Sequence, residues 1–313
     1  MAEAGSGAER RTGALLLNWR QSALTRQCLE DLVAARTAGL RVLLLDNGSG
    51  DGSADELRAA AAAASAAGLP CELLALEGNL GFTGGMNRGF EWAAAAGCEF
   101  VLVLNNDLRL PPGFLQPMLD VLVNDARVAA VMPTVVRPDG RVWAQGGSLG
   151  FCANALRLCG HGGAPAPTTH GPEAIDFAPG ACVLFRAREL QAVAGFDDAY
   201  FMYWEDVELC RRLRARGSRI VWLPWVRVAH LGGASAGGSR SPLRKYLMAK
   251  NGVRYLRRHG GVRHWAALLL IDVPSLPLLA LRSPRAAWAK LCGLAAGFAG
   301  RPSTAADVQR WRR

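Results

Sequence analysis

The apolar positions of the chain gather into short unbroken runs that stop at polar residues. Such runs cover Ala14–Leu17 before Asn18 and Phe100–Leu104 before Asn105, Asn106 and Asp107; Arg41–Leu45 before Asp46, apolar from Val42, and Cys71–Leu76, interrupted at Glu72, read as strands beside them. A run without alternation is the pattern of a strand buried on both faces. Helical stretches lie between them: Ser22–Ala38 with Gly39 past its end, an Ala-rich segment from Ser53 to Ala67, and a segment that leaves Gly78–Gly89 and ends near Gly97. Strand and helix alternating at this spacing predict an α/β domain with a mostly parallel, three-layered sheet. No internal repeat interrupts it.

Further on, Pro112–Asp125 reads as a helix and Val128–Val131 as a strand. Residues 144–173, rich in Gly, Ala, Pro and Thr, read as a long loop over one face, a length often functional. A Pro-Gly-Ala turn and an apolar run follow from Phe177, with a helix start at Ala187. Glu205–Arg216 reads as a helix closed by Gly217, Arg219–Leu223 as a strand, and Val226–His230 as its outgoing extension.

Length and charge add a second layer. With 313 residues, half of them hydrophobic, the chain suffices for one large domain or a domain with an appendage. The eight cysteines form no Cys-x-x-Cys pair, which suits buried free thiols in a reducing compartment. Residues 1–12 are expected to fray, and no apolar segment follows a basic start, so no secretory signal is expected. The expected location is the cytoplasm, with the inner face of the cell membrane as an alternative. From Arg240 to Arg313 there are fifteen Lys/Arg against two acids, whereas residues 1–239 hold twenty-one Lys/Arg and twenty-four acids. A slightly acidic body with a strongly basic tail points to an anionic surface as partner, membrane or nucleic acid.

Several polar groups could carry chemistry. Asp107 ends a buried strand, where open α/β sheets bind ligands, and an acid there can hold a divalent cation on a diphosphate. Taken alone, Asn105-Asn106-Asp107 reads first as the cap of the next helix. Asp46, in Asp46-Asn47-Gly48-Ser49, can accept a hydrogen bond from a nucleobase N–H or simply make an Asx turn. The five glycines of Gly78–Gly89 would let backbone N–H groups approach a phosphate or ribose. They follow the third strand rather than the first, which disfavours a dinucleotide dehydrogenase. Glu205 and Asp206 open a helix after an aromatic run, either as favourable charge at the helix dipole or with one of them as a general base. His230 would complement Asp107 in holding a metal such as manganese. Cys152, Cys159 and His161 lack zinc spacing, and the remaining histidines carry no assignment.

The order of these motifs resembles the family 2 glycosyltransferases, in particular their rhamnosyltransferase-like branch. The resemblance rests on Leu17-Asn18-Trp19, Asp46–Ser49, Asn79–Gly89, Leu104–Asp107, Gly180-Ala181, Gly195–Arg211 and His230, and covers residues 12–240. It implies a GT-A fold over 13–240, followed by a basic helical region over 241–313. It also implies inverting transfer of a sugar, with rhamnose from a deoxythymidine-diphosphate donor as the first candidate. In that scheme Asp206 is the catalytic base beside Glu205, and Trp204, Glu205, Gly180 and Ala181 shape the acceptor pocket. Asn18, Asp46, Asn79, Gly84, Asn87, Asn105 and Asn106 serve the nucleotide-sugar, with Asp46 at the base. Asp107 and His230 hold a Mg2+ or Mn2+ ion. Many relatives carry Asp-x-Asp where this chain has Asn105, which leaves the metal more dependent on Asp107 and His230. The implied acceptor is a glycan, a lipid-linked glycan or a small molecule.

Three readings compete for the tail. Its apolar stretches Trp265–Leu281 and Ala286–Ala299, flanked by Arg and Trp, suit a helical pair packed on the body, a peripheral membrane anchor through 241–313, or a homo-oligomer contact. Trp265–Leu281 falls short of the roughly 20 residues of a spanning helix. The rival functions are a sugar-1-phosphate nucleotidyltransferase and a nucleic-acid-binding protein. The first lacks its Gly-rich loop with a lysine after strand one, and the second lacks a recognition module, so no nucleic acid is expected.

Overall fold

The computed structural model describes residues 10–152, 155–167, 171–232 and 241–312. Most of the frayed segment expected over 1–12, and the boundary expected at 240, lie outside those residues. Thr12 already pairs in a strand.

The first half is the alternating unit that the apolar runs predict: β1 (Thr12–Asn18), α1 (Ser22–Ala35), β2 (Leu40–Asp46), α2 (Ser53–Ala66), β3 (Cys71–Ala75), α3 (Gly81–Ala95) and β4 (Phe100–Asn105). β1 lies between β2 and β4, all parallel, with Leu16 opposite both Leu44 and Leu104. Leu15, Leu16, Leu44 and Leu104 are completely buried because helices cover both faces of these strands. β3 closes this edge and is only half buried.

The Gly-rich stretch departs from expectation. Gly81–Gly89 lies inside α3, so these glycines form no phosphate-cradling loop. A Cβ on Gly89 would come within 2.6 Å of Leu15, and one on Gly85 would collide with Leu17. Absence of side chains here lets α3 sit directly on β1.

The second half continues with β5 (Leu108–Arg109), α4 (Leu115–Asn124), β6 (Val128–Val136), β7 (Val142–Ala144), β8 (Gly147–Leu149), β9 (Leu156–Leu158), β10 (Glu173–Ala174), β11 (Cys182–Arg186), α5 (Ala187–Ala192), α6 (Glu205–Ala215) and β12 (Arg219–His230). The principal order is β10-β12-β6-β11-β4-β1-β2-β3, with β11 antiparallel to both neighbours and β12 parallel to β6. The long loop expected over 144–173 instead contains the antiparallel β8–β9 hairpin and β10. The two pieces expected at 219–223 and 226–230 form one strand, its register shifted between Leu223 and Arg227. Pro224 cannot donate to the ladder, and the shift absorbs it.

Five helices follow: α7 (Pro242–His259), α8 (Val262–Ala267), α9 (Leu276–Arg282), α10 (Pro284–Phe298) and α11 (Ala305–Arg312), with a π turn Leu268–Asp272 between α8 and α9. α7 joins the body. Its Val253, Tyr255 and Leu256 belong to the same buried cluster as the sheet, and Trp204 lies 5.0 Å from the Tyr255 ring. α10 packs closely on α7, where a Cβ on Gly297 would lie 2.6 Å from the Lys250 carbonyl. All eight cysteines are free, with Cys28, Cys98, Cys182 and Cys210 buried.

Candidate active site

A cavity of about 760 Å³ opens beyond the ends of β1 and β4. Its lining includes Asn79, Asn105, Asn106, Asp107, Gly180, Ala181, Trp204, Glu205, Asp206 and His230. Asn18, Asp46, Gly84 and Asn87 do not line it. They build what stands behind it.

Asn18 is completely buried. Its amide donates to Asp46 Oδ1 at 2.8 Å and its carbonyl oxygen accepts from the Thr25 hydroxyl at 2.8 Å. Thr25 in turn accepts from Asn106 Nδ2 at 3.0 Å. One hydrogen-bonded chain therefore ties the ends of β2, β1 and β4 together. Asp46 also accepts from the Ser49 backbone N–H and hydroxyl, which makes it the organiser of its own turn. The neighbouring Asn47 reaches the cavity instead, accepting from Leu80 N at 3.0 Å and donating to Gly81 O at 2.9 Å. Asn87 braces the loop before the acids, donating to Phe196 O and accepting from Phe196 N. Gly84 is buried within α3, where a Cβ would press on Leu80.

Asp107 and His230 meet because β5 pairs antiparallel with the end of β12, opposing Leu108 to His230. The Asp107 Oδ1–His230 Nε2 distance is 3.0 Å, and both side chains are buried. The imidazole is steadied edge-on by Trp143, and its Nδ1 has no hydrogen-bond partner among the described residues. Bonds of about 2.1 Å to an octahedral cation place adjacent donors about 3 Å apart. The pair fits two positions of such an ion. Among the described residues no group of three His, Cys, Asp or Glu is gathered for a metal, so the other positions would fall to the ligand and water.

Glu205 and Asp206 open α6. Asp206 accepts from Gly180 N at 3.1 Å and from Val207 N at 2.8 Å. Burial raises the Asp206 pKa, and these backbone donors lower it again in part. Glu205 is pushed well above the usual carboxylate range, first by burial and then by the charge of Asp206, and its Oε2 has no hydrogen-bond partner among the described residues.

The turn that delivers these acids is strained. Phe201, Tyr203 and Trp204 have φ of 62°, 69° and 73°. Left-handed backbone at bulky residues costs roughly 1–3 kcal/mol each. The offsetting contacts come from the carboxy-terminal helices. Asn251 Nδ2 lies 2.8, 2.9 and 3.0 Å from the carbonyls of Tyr200, Met202 and Tyr203, and its Oδ1 accepts from Ser303 Oγ at 2.8 Å. The Trp204 indole donates to Met248 O, and Phe201 O accepts from Thr83 N at the start of α3. That start is thus occupied by the turn. The sequence carries no signal for Asn251, because its partners lie about fifty residues away. Arg137, His161 and Arg244 also reach the cavity without a motif to mark them.

The sequence model of the glycosyltransferase-like family 2 matches residues 11–247. The chain belongs to this family. The family 2 member is 30% identical over 259 residues to N-acetylglucosaminyl-diphospho-decaprenol L-rhamnosyltransferase of Mycobacterium tuberculosis, covering 74% of this chain and 80% of that protein. It is 35% identical over 66 residues to rhamnosyltransferase WbbL of Escherichia coli, covering 21% of this chain and 25% of that protein. Among solved structures, a mannosyltransferase from Pyrobaculum calidifontis in complex with GDP-Man and Mn2+ superimposes with a TM-score of 0.56 at 18% identity, covering 97% of this chain and 79% of that one. GalNAc-T7 with UDP, GalNAc and Mn2+ gives a TM-score of 0.60 at 13% identity, covering 88% of this chain and 55% of that one. The fold is GT-A, and the protein is a rhamnosyltransferase-like glycosyltransferase. The nucleotidyltransferase alternative has no support beside it.

Proposed function

We propose that this enzyme transfers a deoxyhexose, with rhamnose the first candidate, from a deoxythymidine-diphosphate donor to a hydroxyl of a lipid-linked glycan, with inversion. The observation that carries the reading is that Asp206 and the Asp107–His230 pair line one cavity. The choice of sugar and of a lipid-linked acceptor follows the mycobacterial relative, whose name contains both.

In this reading the nucleoside lies against Asn47 and Asn79, beside the strand-end chain that runs from Asp46 through Asn18. Asn105 and Asn106 face the ribose and sugar. Asp107 and His230 would hold a Mg2+ or Mn2+ ion, which would supply positive charge towards the leaving diphosphate. Arg137 and Arg244 add fixed positive charge to the same cavity. The acceptor hydroxyl enters beside Trp204, Gly180 and Ala181. Its oxygen attacks the anomeric carbon from the face opposite the diphosphate, and Asp206 takes its proton. The bond from that carbon to the diphosphate oxygen breaks, and the nucleoside diphosphate leaves with the electron pair. A raised pKa suits Asp206 to this task, because a carboxylate nearer neutrality is a stronger base. Glu205, held towards its neutral form, keeps a second negative charge away from the base.

Thermal stabilisation by nucleoside diphosphates and their sugars, with and without Mn2+ or Mg2+, tests the donor half. Metal-dependent stabilisation by deoxythymidine diphosphate that disappears in Asp107→Ala is expected. Stabilisation of equal size without metal, or in Asp107→Ala, overturns the assignment of the cation site.

A further inference from the structure

The three readings of the basic tail separate when its helices are taken one at a time. α7 is core, and α11 is docked on it: Lys250 Nζ reaches Asp307 at 2.7 Å and the Pro302 carbonyl at 2.9 Å. Between them lies a hairpin of different character. α8, the π turn and α9 run out, and α10 runs back. The Trp265 ring stacks on Phe298 at 6.1 Å at one end, and Lys290 Nζ meets Asp272 Oδ1 at 2.5 Å in the middle.

α10 is two-faced. Gly293 and Gly297 press on the backbone of α7, while Trp288, Leu291 and Phe298, at helical spacing, are exposed. The outgoing limb exposes Leu269, Leu270, Leu278 and Leu281, with Leu270 at 68% and Leu281 at 85%. Isolated exposed apolar residues are ordinary, but this many large ones on two adjoining limbs are not.

The charge around them has one sign. Arg263, Arg282, Arg285 and Arg301 are all exposed. The only carboxylate between residues 260 and 306 is Asp272. It is 3% exposed and neutralised by Lys290, itself 4% exposed. An apolar surface edged by arginines, with its one acid hidden, is complementary to an anionic lipid surface. A second copy of the chain would bring the same four arginines face to face.

We propose that the α8–α10 hairpin is a membrane-surface seat that lies on anionic lipid headgroups, with its leucines and Trp288 in the interfacial layer. It lies on the bilayer rather than crossing it. Among the described residues no single helix is long and apolar enough to span; Val262–Asp272 and Leu276–Arg282 reach that length and hydropathy only as a pair, and the pair is bent by 43°. α10 is also fastened to α7 through its glycines, so insertion would tear it from the body. This inference does not rest on the sugar-transfer reading, because lipid binding needs no turnover.

Co-sedimentation of the full chain with phosphatidylglycerol-containing vesicles, against pure phosphatidylcholine vesicles, tests it. Wild type is expected to sediment with the anionic vesicles and to be released in part by high salt. Leu270→Glu/Leu281→Glu is expected to abolish sedimentation. Arg282→Glu/Arg285→Glu should weaken it by at least about tenfold, since each basic residue at such a surface contributes roughly a factor of five. An unchanged melting temperature and unchanged stabilisation by nucleoside diphosphates would show that the variants stay folded. Absence of binding to anionic vesicles at low salt overturns the proposal, as does binding that both double variants retain. A dimer that Leu270→Glu/Leu281→Glu splits, without vesicle binding by wild type, overturns it by assigning the face to a second copy.

Discussion

The wall of the cavity built from the ends of β1, β2 and β4 and the wall built from residues 201–206 line one cavity, yet they are held in opposite ways. The first is made of strand ends in register, and its polar residues bond one another through Asp46, Asn18, Thr25 and Asn106. The second has three bulky residues at positive φ and is held from outside by Asn251, Ser303 and Met248. One wall follows from the sheet. The other is a strained turn that exists because distant helices hold it. A catalytic base must keep its position within a fraction of an ångström, and buried hydrogen bonds from rigid helices can supply that.

The difference can be broken at its strongest point first. Asp206→Asn is expected to lower turnover by about 10²–10⁴-fold while stabilisation by the nucleotide persists. Turnover near that of wild type would remove Asp206 from the base role.

Asn251→Ala and Asn18→Ala set the two walls against each other. Each leaves buried polar groups without a partner, at a cost of roughly 1–3 kcal/mol in stability. Their kinetic consequences should divide. Asn251→Ala is expected to depress kcat with donor KM little changed, and Asn18→Ala to raise donor KM. A KM effect of equal size in both would mean that the walls are not independent.

Glu205→Gln probes the buried acid pair through pH. The folded-state pKa of Glu205 lies above its unfolded value of 4.5, so the folded state holds a proton that the unfolded state has lost. Stability therefore falls as pH rises from about 4.5 through the raised folded value, and the penalty is complete above it. The glutamine variant should melt higher than wild type at neutral pH, with the gap closing as pH approaches 4. A gap independent of pH would contradict the raised pKa.

The smallest expected effect is that of Ser303→Ala. It removes one hydrogen bond to Asn251 Oδ1, worth roughly 1 kcal/mol, and should lower the melting temperature slightly with a mild loss of kcat.

Legibility in the sequence follows the same division. Asp107 and Asp206 each read, taken alone, as readily as a helix cap or helix-dipole charge, and only the order of motifs along the chain singled them out; both line the cavity. Asp46 was equally visible, but it turns inward to its own loop and leaves the cavity to Asn47. The glycines of 78–89 suggested a phosphate loop, whereas Gly85 and Gly89 serve close packing of α3 on β1. A glycine marks a place where a side chain is excluded, and the pattern alone does not say by what. Asn251 was invisible because an asparagine within a basic amphipathic helix reads as solvent-facing, yet this one is completely buried.

The sequence by itself determined the sheet. A continuous apolar run can be satisfied only by burial on both faces, so the strands, their helices and the polar edge where they end were local consequences of composition and spacing. It also determined, by motif order, the family to which the chain belongs. Only the tertiary structure decided which polar residues face the cavity, which hold the others, and which tail helices join the core. Those outcomes depend on hydrogen bonds and burial between segments far apart in the sequence, such as Asn18 with Asp46, Asn251 with Tyr203, and Asn106 with Thr25. A buried donor such as Asn251 has meaning only when its three carbonyls have been brought to it.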